Sequence, residues 1–228
     1  LFQNDYISTF IERIVAKSAG VEKVSEFLTV LRLIAARFGE LLSYESLGRD
    51  AGVTGKTIKV WISLLEKNKV LFVLQPFYSN LNKRFIKASK LYFLDPGICT
   101  RLQAHQELES ILNTPQVGHL FENLVVSEVV KTKDHIQKDW NLFFWRTKEG
   151  EEVDLIIEIP KKIVLIELKL GSHNGRILQT PKTLVRVLKR GQSFQKILVV
   201  ATGPRFKIAS DCDVVPYQKL CEYLLENL

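Results

Sequence analysis

Two periodicities run along this chain, and the change from one to the other divides it. Up to about residue 67, apolar residues recur every three or four positions, the spacing of an amphipathic helix, in "NDYISTFIERIVAKSAG" and again in "VSEFLTVLRLIAARFGE". Gly20 and Gly39 stop these two segments. In "SYESLGRDAGVTGKTIKVWISLLEKNK" a short helix ends at Ala51-Gly52. Thr54 is placed to cap a longer helix whose apolar stripe is Ile58, Trp61, Ile62 and Leu65. The strand-like "VLFVLQPF", a polar tip "YSNLN" and the run "KRFIKASKLYFLD" then complete a helix-turn-helix with a β-hairpin wing, over residues 21–98. Residues 99–116 read as a linker, a loop with one helical stretch.

From Val117 the pattern changes. A helix, "VGHLFENLVVSEVVKTK", precedes three strand candidates, "NLFFWRT", "EEVDLIIEI" and "KIVLIELKL". A helix is expected from Pro181 to Lys189, then a buried strand "KILVVAT", and a last helix from about Tyr217. That order predicts a mixed-sheet domain over 117–228 and a fold class of α/β, or α+β for the chain as a whole.

Composition adds little to this. The 228 residues hold 32 Lys+Arg against 25 Asp+Glu, a formal charge of +7, which favours an anionic partner such as nucleic acid. The basic residues are spread over both halves, so no cationic tail is present. Three cysteines and four histidines stand at scattered positions, which suggests neither a disulfide framework nor a zinc site. No apolar run approaches the ~18 to 20 residues that cross a bilayer, and no signal-peptide pattern opens the chain, so a cytoplasmic protein without a membrane partner is expected. The chain starts in mid-pattern at Leu1 and has no methionine. It therefore reads as a fragment, with residues 1–20 a remnant helix, and unwritten modified methionines would shorten a spacing by one.

The chemistry is concentrated in "EEVDLIIEIPKKIVLIELKLG", residues 151–171. If Pro160 and Lys161 form a two-residue turn, Ile159 faces Lys162 and Asp154 falls opposite Glu167. Alternation then puts Asp154, Ile156 and Glu158 on one sheet face with Ile163, Leu165, Glu167 and Lys169. Like charges facing each other across a strand pair are destabilising. A divalent cation offsets that repulsion, since Mg²⁺ takes hard oxygen ligands. Lys169 could then orient an attacking water and stabilise charge on a phosphate, the outline of metal-assisted phosphodiester hydrolysis. The plain alternative is three charges capping the solvent ends of two strands.

The ordered set of a helix with Glu122, the strand "FFWR", "EVDLIIE" with Asp154, and "IELKLG" with Glu167 and Lys169 resembles the PD-(D/E)XK restriction-endonuclease-like core. The stretch from Tyr6 to Gly171 is similar to the C-terminal region of a family of bacterial and archaeal AAA-type ATPases. There a winged helix is followed by motifs like "KLYFLDPGI", "HLFENLVVSEV" and "FFWRTKEGEEVDLIIE". The resemblance implies Asp154 and Glu167 as ligands of Mg²⁺ or Mn²⁺, with the Leu168 carbonyl as a third. It implies Lys169 as the catalytic lysine and Glu122 as an acid aiding the metal through water. Glu122 is otherwise a helix-end charge on a solvated face. Trp145 and Arg146 match the family pattern too, as either a packing pair or a phosphate contact. ATP enters only through the family's N-terminal ATPase domain, which this chain lacks. In place of the arginine-aspartate that usually ends that domain's last helix stands "IERIVAKSAG".

"GVTGKT" is not a P-loop, because Walker A needs four residues between its glycine and the Gly-Lys pair, and Gly52 and Gly55 are separated by two. On the helix that follows, Lys56, Thr57, Lys59 and Ser63 lie off the apolar stripe, suited to nucleic-acid contact, and Lys83, Arg84 and Lys87 add charge in the wing. Three functions are thus expected candidates: a metal-dependent DNA endonuclease attached to an AAA-type ATPase, a non-catalytic nucleic-acid-binding or protein-interaction module, and a winged helix that only docks on the ATPase.

Overall fold

The structure is a computed structural model, describing residues 24–77, 88–103, 108–171, 184 and 193–228. The helix expected at 1–20, the polar tip expected at 78–82, the residues Lys83, Arg84 and Lys87, and the helix expected at 181–189 (Leu184 apart) lie outside the described residues. The chain divides into two compact units, one of Leu1–Val73 with Leu91–Asn123 and one of Leu74–Lys90 with Leu124–Leu228.

The first unit holds helices α1 (Val24–Ala36), α2 (Tyr44–Ala51) and α3 (Gly55–Lys67). It also takes in the start of strand β1 (Leu71–Pro76), the end of β2 (Lys90–Phe93), α4 (Pro96–Leu102), α5 (Leu108–Leu112) and the start of α6 (Val117–Ile136). The stretch expected as a linker thus carries two short helices, and Ile98 and Cys99 of α4 are buried in this unit's core. Burial pushes the Cys99 thiol up to about 12, so it is a packed thiol and not a nucleophile.

The turn between α2 and α3 follows from local chemistry. Gly52 ends α2 at φ 70°, a left-handed conformation that glycine adopts without cost from a side chain. At Gly48 a Cβ would stand 2.6 Å from the carbonyl oxygen of Val53, so the close approach of the turn to α2 requires a glycine there. Thr54 caps α3 as expected. Its Oγ1 accepts from the Thr57 N–H at 3.1 Å, and the two hydroxyls share a hydrogen bond of 2.9 Å. Thr54→Ala is expected to cost about 1 kcal/mol, read as a lower midpoint in urea unfolding. Beneath the turn, the predicted stripe of Ile58, Trp61, Ile62 and Leu65 is buried, with the Trp61 ring edge-on to Phe27 at 5.2 Å.

The second unit is built on β3 (Asn141–Arg146), β4 (Glu152–Ile159), β5 (Lys162–Lys169), β6 (Ser193–Val200), β7 (Phe206–Ala209) and β8 (Cys212–Pro216). A 3₁₀ turn at Tyr217–Lys219 leads into α7 (Leu220–Asn227). The eight strands form one mixed sheet in the order β2-β1-β3-β4-β5-β6-β8-β7. Strands β3, β4 and β5 are the expected antiparallel meander, while β5, β6 and β8 run parallel. Ile156, Ile163 and Leu165 form a buried cluster with Phe77, Phe143, Trp145, Val153 and Leu184. Among the described residues no helix is long and apolar enough to cross a membrane.

Candidate active site

The β4–β5 hairpin has the expected two-residue turn at Pro160-Lys161. Ile159 pairs with Lys162, Ile157 with Val164 and Leu155 with Ile166, the predicted register. On the other edge of β4, the pairing with β3 shifts register. Phe143 pairs with Ile156, but Trp145 pairs with Val153, so Phe144 alone stands against both Asp154 and Leu155. This is a β-bulge, which bends a strand and re-aims its side chains. Its signature is that Val153 and Ile156 join the same buried cluster, which strict alternation would forbid. Asp154 is therefore placed by the bulge and not by simple parity with Ile156 and Glu158. Its Oδ2 accepts the main-chain N–H of Leu168 at 2.7 Å.

Lys169 Nζ lies 2.8 Å from Glu167 Oε1 at the end of β5. Partial burial pulls the Lys169 pKa down, but the hydrogen bond and charge of Glu167, then the charges of Asp154 and Glu152, outweigh it and raise the pKa overall. The ammonium stays protonated at neutral pH, a cation beside the Glu167 carboxylate. Asp154, Glu167 and Lys169 are thus brought together where β4 begins and β5 ends. That edge is the carboxyl end of the parallel strands β5, β6 and β8, the usual place for ligands in open α/β sheets.

Two residues that sequence reasoning passed over belong to the same edge. Glu152 receives Lys90 Nζ at 2.7 Å, and Arg146 Nη1 stands 3.6 Å from its other oxygen. Lys90 is buried, and its ammonium also lies 5.5 Å from the Phe144 ring centroid. A lysine opening the apolar run "KLYF" was the available signal. Of the pair read as packing or phosphate contact, Trp145 is in the core and Arg146 is exposed.

Glu122 lies in the first unit. It is buried, accepts a hydrogen bond from the Tyr92 hydroxyl, and has His119 Nδ1 at 3.5 Å, so it is not a charge on a solvated face. Next to it, Asn123 is fully buried and bonds both the N–H and the C=O of Phe93 at 2.8 Å. On α3, Lys56, Lys59 and Ser63 are exposed, and Thr57 is half-buried by its part in the cap. Among the described residues no three His, Cys, Asp or Glu side chains gather in a metal-holding group.

Residues 2–109 match one family, "Domain of unknown function (DUF8612)", and residues 117–220 match another, "Domain of unknown function (DUF4143)". The second range begins at Val117, where the second pattern along the chain begins. The uncharacterized protein Rv2008c of Mycobacterium tuberculosis (strain ATCC 25618 / H37Rv) is 25% identical over 171 residues, 75% of this chain and 38% of that protein. The uncharacterized protein MJ1637 of Methanocaldococcus jannaschii is 27% identical over 220 residues, 93% of this chain and 43% of that protein. The chain spans less than half the length of these relatives. The crystal structure of protein VC1899 from Vibrio cholerae aligns with 99% of this chain and 55% of its own, at 15% identity and a TM-score of 0.29, too low to bear on the fold.

Proposed function

We propose that this chain is the C-terminal part of an AAA-type ATPase and that it joins a DNA-binding winged helix to a metal-dependent DNA endonuclease of PD-(D/E)XK type. Domains of the DUF4143 kind are often found with AAA ATPases, which supports the first part. The observation that carries the second is the convergence of Asp154, Glu167 and protonated Lys169 at the carboxyl edge of the sheet.

The donor set fits Mg²⁺ or Mn²⁺, because two carboxylates and a main-chain carbonyl are hard oxygen ligands. In a strand the N–H and C=O of one residue point to the same neighbour, so the Leu168 carbonyl is turned to the β4 side along with the N–H that meets Asp154. Asp154, Glu167 and the Leu168 oxygen would hold the ion, which when bound polarises phosphoryl oxygens and acidifies a water. Lys169, oriented by Glu167, stabilises negative charge developing on the phosphate. Lys56, Thr57 and Lys59 of α3, with Lys83 and Arg84 of the wing, would hold the DNA backbone.

The test is calorimetric titration of Mn²⁺ into the chain and into Asp154→Asn, followed by cleavage of plasmid DNA. One specific site that the substitution removes, with a loss of cleavage of at least about a hundredfold, is the expected result. The second reading is a non-catalytic nucleic-acid-binding or protein-interaction module. It is favoured by the satisfaction of both carboxylates without any ion, Asp154 by Leu168 and Glu167 by Lys169. It expects no Mn²⁺ site in either protein. DNA binding, if any, would then be metal-independent and would fall with salt, as docking on a protein through apolar surface would not.

A further inference from the structure

We infer that Arg146 is a phosphate-binding residue of this site, standing beside Glu152 at the carboxyl edge of the sheet and available to DNA because buried Lys90 already neutralises that carboxylate. The inference rests on the reading of the site as one that receives nucleic acid. Its basis is an asymmetry between the two cations that share Glu152.

Lys90 is 3% exposed at its side chain and lies 2.7 Å from Glu152 Oε1. A charge so buried needs a close counter-charge, and this contact supplies it. Arg146 is 44% exposed and stands 3.6 Å from Glu152 Oε2. A contact of that length on the surface holds a guanidinium in place only weakly. The carboxylate does not depend on Arg146 for its neutralisation, and the planar fork of Arg146 is suited to two parallel hydrogen bonds with a phosphate. Its position is also constrained. Arg146 pairs with Glu152 at the end of β3, and Glu152 opens β4 two residues before Asp154. A backbone phosphate seated on Arg146 therefore lies along the same edge as Asp154, Glu167 and Lys169.

The experiment measures binding of a fluorescein-labelled 30-base-pair DNA duplex by anisotropy, without metal, over a range of salt, for the wild type, Arg146→Ala and Arg146→Lys. Loss of one phosphate contact lowers the slope of log K against log salt by about 0.9. Arg146→Ala is expected to show that loss with weaker binding at every salt concentration. Arg146→Lys is expected to restore the slope, since a point charge still meets the phosphate. Arg146→Ala with wild-type affinity and slope overturns the inference, as does a wild type that binds no duplex. Mn²⁺ titration of Arg146→Ala separates the two readings. An unchanged metal site with an unchanged slope defeats only the role of Arg146. A lowered slope in a protein that binds no Mn²⁺ upholds that role and defeats the nuclease.

Discussion

Asn123→Leu is expected to lower the stability of the first unit by about 4 kcal/mol. The side chain of Asn123 is fully buried, and it meets both main-chain groups of Phe93 at 2.8 Å, donating to the C=O and accepting from the N–H. Leucine has the same branched set of four side-chain heavy atoms, with bulkier methyl groups, so it leaves no cavity and lost packing is not the main cost. What is lost is the partner of two polar groups at a buried strand end, each costing about 1 to 3 kcal/mol when left unsatisfied. Asn123→Asp separates the two bonds, because a carboxylate still accepts from the Phe93 N–H but cannot donate to its C=O. Urea unfolding followed by circular dichroism reads both variants. A shift under about 1 kcal/mol for the leucine variant would mean that water reaches Phe93 and that the amide is dispensable.

The second large effect is expected at the buried ion pair. Glu152→Gln keeps the shape of the side chain but removes its charge, leaving the Lys90 ammonium buried without it, and should cost about 3 kcal/mol. Lys90→Met should cost about 1 kcal/mol or less. The thioether side chain fills the space, and the carboxylate left behind is 26% exposed at its side chain and keeps Arg146 nearby. The order of the two effects matters more than their size. If Lys90→Met proves the more damaging, the pair is not held together by the need of a buried ammonium, and Arg146 is then not left available by it. Both are read as shifts in thermal or urea midpoints on the same protein preparation.

Much of the local structure could be read from the residues in order. The capping of α3 by Thr54, its buried stripe and the glycine turn before it follow from contacts within a few positions along the chain, where residue type decides conformation directly. The register of the β4–β5 hairpin was legible for a related reason. A two-residue turn leaves one pairing, and every step from Ile159↔Lys162 to Leu155↔Ile166 obeys it. The candidates Asp154, Glu167 and Lys169 could be named because charged residues interrupt two otherwise apolar strands.

The features that required the folded chain are of another kind. Strands β7 and β8 have four and five residues, too few to establish a period, and are strands because β8 pairs with β6 and β7 pairs with β8. The bulge at Asp154 arises between β3 and β4, so alternation along β4 alone does not fix the aim of that carboxylate. Glu122 is buried and not on a solvated face because of groups distant in sequence, its Tyr92 partner lying 30 positions away. Lys90 and Glu152 went unread because a lysine in an apolar run is an error or a functional residue according to whether a carboxylate arrives from elsewhere. Conformation and register are settled by neighbours along the chain and so are written in it. The charge state and orientation of a buried side chain depend on groups that only folding brings within a few ångströms.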